Sequence, residues 1–344
     1  MMESPLRPLR IGPVEVNLPV VLAPMAGYTD LAYRKICRLR GGVEFTTTEM
    51  MLDRMVLLAP KIRRKLAIIQ AQPDEHPLAA QLIGNDPDTM ARAGGELCKM
   101  GFDVIDLNFA CPVNKALSRR RGGYLMSDPQ TAVAVTRAVC SAVDRPVTLK
   151  LRKSHRQADD TCEAFWRIAE AGFEAGISAV CVHARSVEVK YAGPADWDFL
   201  ARVKRHFGDK TVIGSGDAAS PADAIEMLRR TGVDAASVAR GALGNPWFFR
   251  QVRDLQAGRE PYRPTLSQQR DNLLEHMELA CRLYGPEKAP RIMRKFGIRY
   301  ARLHPRPKEL RMAFVEVSSP ADWMNVVEKY YESTLKKGAH QDAL

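Results

Sequence analysis

One cysteine in this chain stands where an apolar run opens into a cationic, glycine-containing loop. Phe102-Asp103-Val104-Ile105-Asp106-Leu107 is followed by Asn108-Phe109-Ala110-Cys111-Pro112, and then by Lys115, Arg119, Arg120, Arg121 and Gly122-Gly123. A thiol so placed can do proton or nucleophile chemistry on an anionic substrate, although a buried strand-end cysteine also serves as a small core residue. An ordinary thiol, with a pKa of about 8.5, is protonated at neutral pH and can deliver a proton to carbon. No histidine is near Cys111 in sequence to draw it into a thiolate pair, so the proton donor is the favoured reading.

Groups of similar promise follow other apolar runs. Lys150 lies in Thr148-Leu149-Lys150-Leu151, where a lysine needs an anion close by. It can form a Schiff base, neutralise a cofactor or complete a structural ion pair. His183 can bond a cofactor or be a satisfied core histidine. Gln81 can meet a heteroaromatic edge or cap a strand end, and Asn108 can hold a carbonyl or amide edge. Ser215-Gly216-Asp217 and Arg240-Gly241 offer turns whose N–H groups suit a phosphate, with a guanidinium as bidentate partner. Two tight turns with an exposed arginine are the plain alternative.

The elements that must position these groups read as eight strand-helix units. Short apolar runs occupy residues 20–24, 43–49, 78–83, 104–108, 147–151, 179–183, 211–214 and 235–239, with amphipathic helices expected between them, as at 162–175 and 222–230. Near-continuous apolar strands imply a parallel sheet buried on both faces, and closing it gives an α/β fold of the (β/α)8 TIM-barrel type. A doubly wound open sheet would usually carry a Gly-x-Gly-x-x-Gly turn after its first strand, and none is present. Nearly every unusual polar or glycine residue falls at the end of a strand or just after it: Met25 and Gly27, Glu49, Gln81, Asn108 and Cys111, Lys150 and Arg152, His183 and Arg185, Ser215-Gly216-Asp217, and Arg240-Gly241. In a parallel barrel such positions converge on one mouth.

The pattern changes near residue 250. Thr265-Leu266-Ser267-Gln268 is a capping box opening a helix that Gly285 ends, and Ser319-Pro320 starts another. A catalytic barrel over 1–250 and a C-terminal all-α helical domain over 251–344 are expected. The formal net charge is +11, and residues 288–311 hold nine basic residues against one acidic residue, Glu309. A solvated face normally mixes signs, so this segment points to a polyanion. The seven cysteines are scattered without metal-binding spacing, no apolar stretch is long enough for a membrane span, and Met1–Arg7 lacks a signal-peptide core. Reduced thiols, a cytoplasmic location, and neither membrane nor metal are expected.

Several motifs together resemble the tRNA-dihydrouridine synthase family, in order and spacing. They are Leu22-Ala23-Pro24-Met25-Ala26-Gly27-Tyr28-Thr29-Asp30, Gln81-Leu82-Ile83-Gly84, Asp106-Leu107-Asn108-Phe109-Ala110-Cys111-Pro112, Val147-Thr148-Leu149-Lys150-Leu151-Arg152, Val182-His183-Ala184-Arg185, Gly214-Ser215-Gly216-Asp217 and Arg240-Gly241-Ala242-Leu243-Gly244-Asn245-Pro246-Trp247. Arg291-Ile292-Met293-Arg294-Lys295 is similar to a family segment in the helical domain. Ala110, Ser215 and Ala239 stand where the family usually has Gly, Asn and Gly. The resemblance implies FMN as cofactor, NADPH as reductant and tRNA as substrate. It implies Pro24, Met25 and Ala26 along the flavin ring and Gln81, Lys150 and His183 at its polar edge. Ser215, Gly216, Asp217, Ala239, Arg240 and Gly241 would hold the phosphate. Cys111 would be the general acid, with Asn108, Arg152 and Arg185 on the uracil side. Arg119, Arg120, Arg121, Arg291, Arg294, Lys295, Arg299 and Arg302 would grip RNA phosphates. A small-molecule FMN-dependent pyrimidine oxidoreductase has no use for the cationic helical segment. A non-catalytic RNA-binding barrel does not need Cys111, Lys150 and Gln81 together.

Overall fold

The computed structural model of the chain describes residues 6–63 and 66–332. Strands are numbered β1 (Leu9–Ile11), β2 (Val14–Val16), β3 (Val20–Leu22), β4 (Thr46–Thr47), β5 (Met51–Leu52), β6 (Leu78–Ile83), β7 (Val104–Asn108), β8 (Val147–Arg152), β9 (Ala179–His183), β10 (Thr211–Ser215) and β11 (Ala235–Val238). Strands β3, β4 and β6–β11 pair in parallel, and the β4–β6 pairing closes them into an eight-stranded barrel, with β5 added alongside β6. The predicted barrel is therefore present. Its first two strands are shorter than the apolar runs suggested. After Leu22 the chain turns, and the Met25 carbonyl accepts from the N–H groups of Tyr28 and Thr29.

Strand and helix starts follow from local chemistry. Asp86, Asp128, Asp196 and Ser220 each accept a hydrogen bond from the N–H three residues on, and proline follows three of them at the first helical position. The helices expected at 162–175 and 222–230 are Glu163–Glu174 and Pro221–Thr231. The β1–β2 hairpin, which turns at Gly12 with φ of 57°, was not foreseen from the pattern of apolar runs. Its Leu9, Ile11 and Val16 pack with Val21, Phe45, Ala79, Val104, Ala179 and Ala235 from the amino ends of the barrel strands. That end is an apolar floor, each large side chain contributing about 1.5–3 kcal/mol by burial. Further along these strands the same face turns polar, with Gln81, Asp106 and Ser237 two residues beyond Ala79, Val104 and Ala235, and with His183 and Ser215 at the ends of β9 and β10. The floor is apolar, and the polar groups lie above it.

Two compact units are present. Among the described residues, one comprises those up to Asp30 with those from Val43 to Ala239; the other comprises Leu31–Gly42 with those from Arg240 onward. Among the described residues the second unit has no strand and contains the helices Leu31–Gly41, Phe248–Gln256, Leu266–Tyr284, Ala289–Tyr300, Pro307–Val315 and Pro320–Val327. The Thr265 capping box and Gly285 bound the long helix as expected, and Ser319 caps the last one. Tyr33 donates to the Ala242 carbonyl at 2.7 Å, and its ring leans on those of His276 and Phe296. Gly297 allows the close approach of Phe314, whose ring a Cβ would overlap. No helix among the described residues is long and apolar enough to cross a membrane.

His276 is fully buried, its Nδ1 lying 3.0 Å from the Tyr300 hydroxyl. Burial, with a lesser push from Lys295, lowers its pKa to about 3. The unfolded chain therefore takes up a proton near pH 6.5 that the folded unit refuses. The stability that neutral His276 supplies is full above that pH and is lost as pH falls toward 3, by about 2 kcal/mol at pH 5. Thermal unfolding followed from about pH 7.5 to about 4.5 should show this loss, and His276→Gln should flatten the slope.

Candidate active site

Cys111 is held from three sides. The Asn108 Oδ1 accepts from the N–H of Ala110 at 3.0 Å and of Cys111 at 2.9 Å, while Gly123 N–H donates to the Cys111 carbonyl at 2.9 Å. A Cβ at Gly122, where φ is 60°, would lie 2.9 Å from the Cys111 Cβ. One at Gly123 would meet Val187 and the Cys111 carbonyl. The glycine pair is thus required for the loop to fold back against the cysteine. Cys111 is 9% exposed and packs with Ile83 and Ala116. Burial pushes its thiol above the ordinary range, against the opposing pull of the Val113 N–H and the Arg152 guanidinium. At neutral pH the sulfur carries its proton.

Behind this loop runs a row of buried polar groups. Asn108 Nδ2 donates to Gln81 Oε1 at 2.8 Å, Gln81 Nε2 donates to Asp106 Oδ2 at 2.7 Å, and the Thr148 hydroxyl donates to Asp106 Oδ1 at 2.6 Å. Burial raises the Asp106 carboxyl above its usual range, opposed by the bonds from Thr148 and Gln81 and by the Lys150 charge. Lys150, half-buried, reaches Cys181 Sγ at 3.4 Å. Arg152 is 3% exposed: its Nε donates to the Ala110 carbonyl, and Nη1 donates to the carbonyls of Ser186 and Lys190. It also lies over the ring of Tyr191, at 5.5 Å from the centroid. Asn108 Oδ1 and the Nε and Nη1 of Arg152 thus help to shape the loop that carries Cys111, the loop beside which a uracil is expected.

The ends of β9 and β10 meet in a second cluster. Arg185 Nη2 donates to both Asp217 oxygens, at 2.6 and 2.7 Å, and Asp217 also accepts from the Ala195 N–H. The Nη1 of Arg185 is buried with no hydrogen-bond partner among the described residues. Gly216 (φ 118°) lies beside it, and a Cβ there would sit 2.7 Å from Ala195 and 3.7 Å from that nitrogen. Ser215 Oγ is 3.5 Å from His183 Nδ1. Pro24 and Met25 are half-buried and Ala26 exposed in the turn after β3. Ala239 directly follows β11 and is half-buried; in the helical unit, Arg240 is exposed and the Gly241 carbonyl accepts from Arg302. Arg119 and Arg120 are exposed beyond Cys111, and Arg121 is half-buried.

The remaining cationic residues belong to the helical unit. Arg291, Arg294, Lys295 and Arg299 share one face of the helix Ala289–Tyr300, whose other face buries Met293, Phe296 and Tyr300. Sequence reasoning missed three participants: Asp106, Thr148 and Tyr191. Asp106 was detectable, because it shares the inward face of an apolar strand with Val104 and Asn108. Tyr191, 55% exposed in the loop after β9, carried no signal.

A family profile described as "Dihydrouridine synthase (Dus)" matches residues 21–336. The chain belongs to the dihydrouridine synthase family. Its similarity to members is spread over its length. It is 36% identical to the "Probable tRNA-dihydrouridine synthase" of Mycobacterium tuberculosis, covering 92% of this chain and 83% of the relative. It is 32% identical to "tRNA-dihydrouridine synthase B" of Shewanella oneidensis, over 95% of this chain and all of the relative. Among solved structures, a 2-naphthoyl-CoA reductase complex aligns with a TM-score of 0.57 at 14% identity. It covers 75% of this family member and 53% of that longer chain, a likeness of fold.

The engagement of Arg152 with three carbonyls makes a specific demand. Lysine cannot reproduce a planar fork, and unpaired buried carbonyls are costly. Arg152→Lys should lower unfolding stability by about 2–4 kcal/mol in urea titrations.

Proposed function

We propose that the protein reduces the C5–C6 double bond of uridines in tRNA, giving dihydrouridine. Membership of the dihydrouridine synthase family supports this reading, as do relatives named tRNA-dihydrouridine synthase. The observation that carries its chemistry is the protonated, clamped thiol of Cys111 at the carboxyl end of a barrel strand, where barrel active sites are built. The cytoplasm, where tRNA is matured, is the expected location.

FMN fits the residues present. The buried Arg185 Nη1 beside Gly216 suits an anion such as a phosphate, and Lys150 suits the electron-rich edge of a flavin. Pro24, Met25 and Ala26 would lie along its ring, with Gln81, Lys150 and His183 at the polar edge. Ser215, Gly216 and Asp217 and the loop Ala239-Arg240-Gly241 would serve the phosphate. When bound and reduced by NADPH, FMN supplies the hydride that adds to C6 of the uracil. The chain's own part is to hold the base and move a proton. Cys111 Sγ–H protonates C5, and the thiolate so formed is favoured by the Val113 N–H and the nearby Arg152 guanidinium. The target uridine must leave its stack to reach the mouth. Arg119, Arg120 and Arg121 on the barrel, and Arg291, Arg294, Lys295 and Arg299 on the helical unit, would bind backbone phosphates, giving affinity that falls with salt.

Three measurements test the reading. Cys111→Ala should still accept electrons from NADPH into added FMN but stall on tRNA; full-rate dihydrouridine formation by that variant would overturn the assignment. Because the thiol acts as an acid and its pKa is raised, single-turnover tRNA reduction should stay level through neutral pH. It should decline only as pH rises above the ordinary thiol value of about 8.5. The charge-reversed Arg294→Glu/Arg299→Glu protein should bind tRNA more weakly, by on the order of tenfold at moderate salt, in a filter-binding assay.

A further inference from the structure

We infer that Asp106 is a positioning residue for Cys111, acting through the side-chain amides of Gln81 and Asn108. This rests on the reading of Cys111 as proton donor. The four linked side chains are buried, with exposures of 2% for Gln81, 6% for Asp106, 7% for Asn108 and 5% for Thr148. An amide has chemically different ends, so a chain of amides has a direction, and that direction must agree at both termini. At one terminus the N–H groups of Ala110 and Cys111 can only donate, so Asn108 must present Oδ1 to them. Its Nδ2 then faces Gln81, which must answer with Oε1, leaving Nε2 in need of an acceptor. Asp106 Oδ2 is that acceptor, and its other oxygen takes the Thr148 hydroxyl.

The barrel makes this reach possible. Parallel pairing sets Gln81 opposite Asp106, and Asp106 opposite Thr148. Neighbouring side chains on one face of a sheet lie close enough for one carboxylate to meet both. A plain counter-charge role for Asp106 fits less well. No ion pair joins it to Lys150 among the described residues, since the lysine nitrogen bonds Cys181 Sγ and both carboxylate oxygens are taken by the relay. Asp106 therefore fixes the rotation of Gln81, Gln81 that of Asn108, and Asn108 the backbone that presents the thiol.

The direction of the relay can be reversed, and that is the test. In Asn108→Asp, the new carboxylate still accepts from the two backbone N–H groups. Its second oxygen, however, meets Gln81 Oε1, or turns Gln81 over so that Oε1 meets Asp106. In the double variant Asp106→Asn/Asn108→Asp, an overturned Gln81 is satisfied at both ends, and the amide oxygen introduced at position 106 accepts from Thr148. Both variants carry the same new carboxylate beside the thiol; they differ by the Asp106 charge, and the effect of removing that charge alone is read from Asp106→Asn.

Two readouts are taken on the FMN-loaded protein: iodoacetamide alkylation of the Cys111 peptide by mass spectrometry, and single-turnover reduction of tRNA. Asn108→Asp is expected to slow both by on the order of tenfold or more, the scale of one misplaced charge-assisted hydrogen bond, and the double variant to recover much of that loss. Asp106→Leu, with its fold checked by circular dichroism, is expected to resemble Asn108→Asp, and Asp106→Asn to retain much of what the leucine variant loses. A double variant no better than Asn108→Asp in either readout overturns the relay. So does an Asp106→Leu protein with native alkylation and native turnover. If Cys111→Ala turns over tRNA at full rate, the proton-donor reading fails instead, and alkylation still reports on the relay.

Discussion

Polar groups buried inside a closed barrel must find partners among their neighbours, and this desolvation constraint orders the row behind Cys111. Below, the hairpin residues Leu9, Ile11 and Val16 seal the barrel with apolar contacts. Above that floor, Gln81, Asp106, Asn108 and Thr148 face inward from adjacent strands and satisfy one another. A buried polar group without a partner is costly, so a fully joined row also fixes each member's orientation. The rigidity needed to aim a thiol thus comes from hydrogen bonds that the fold has to make in any case.

The same constraint shapes the loop after β7. Arg152 is a barrel-strand residue, yet its guanidinium ties the carbonyl of Ala110 to those of Ser186 and Lys190, joining the loops after β7 and β9. Gly122 and Gly123 let the chain return against Cys111 where no side chain fits. Burial favours the protonated thiol, the state that the proposed acid requires, while the nearby cation and N–H oppose that shift. At the other cluster, Arg185 binds Asp217 and the Gly193 carbonyl and keeps one buried nitrogen without a partner among the described residues.

The helical unit is built on different terms. One face of the helix Ala289–Tyr300 buries Met293, Phe296, Gly297 and Tyr300, and the other displays Arg291, Arg294 and Arg299 to solvent. A mixed-sign face would serve solubility equally well; a face of one sign is what the proposed binding of tRNA phosphates requires. The cost of buried polarity recurs in its core, where His276 is held neutral among aromatic rings.

Residue order was enough to read the strand-helix alternation, the caps at Ser220, Thr265 and Ser319, the placement of Cys111 after a strand, and the cationic segment. These are written in local periodicity and in residue types that act on their immediate neighbours. Folding in three dimensions had to be seen before Leu31–Gly41 could be assigned to the helical unit, the β1–β2 hairpin to the barrel floor, and Arg152 to bracing loops. The same holds for the neighbours that occupy Asn108 and Gln81. Those outcomes depend on cross-strand register and on pairs such as Asn108–Gln81 and Thr148–Asp106, which lie 27 and 42 residues apart. A hydrogen bond between distant residues leaves no period in the chain, because its partners become neighbours only when the barrel closes.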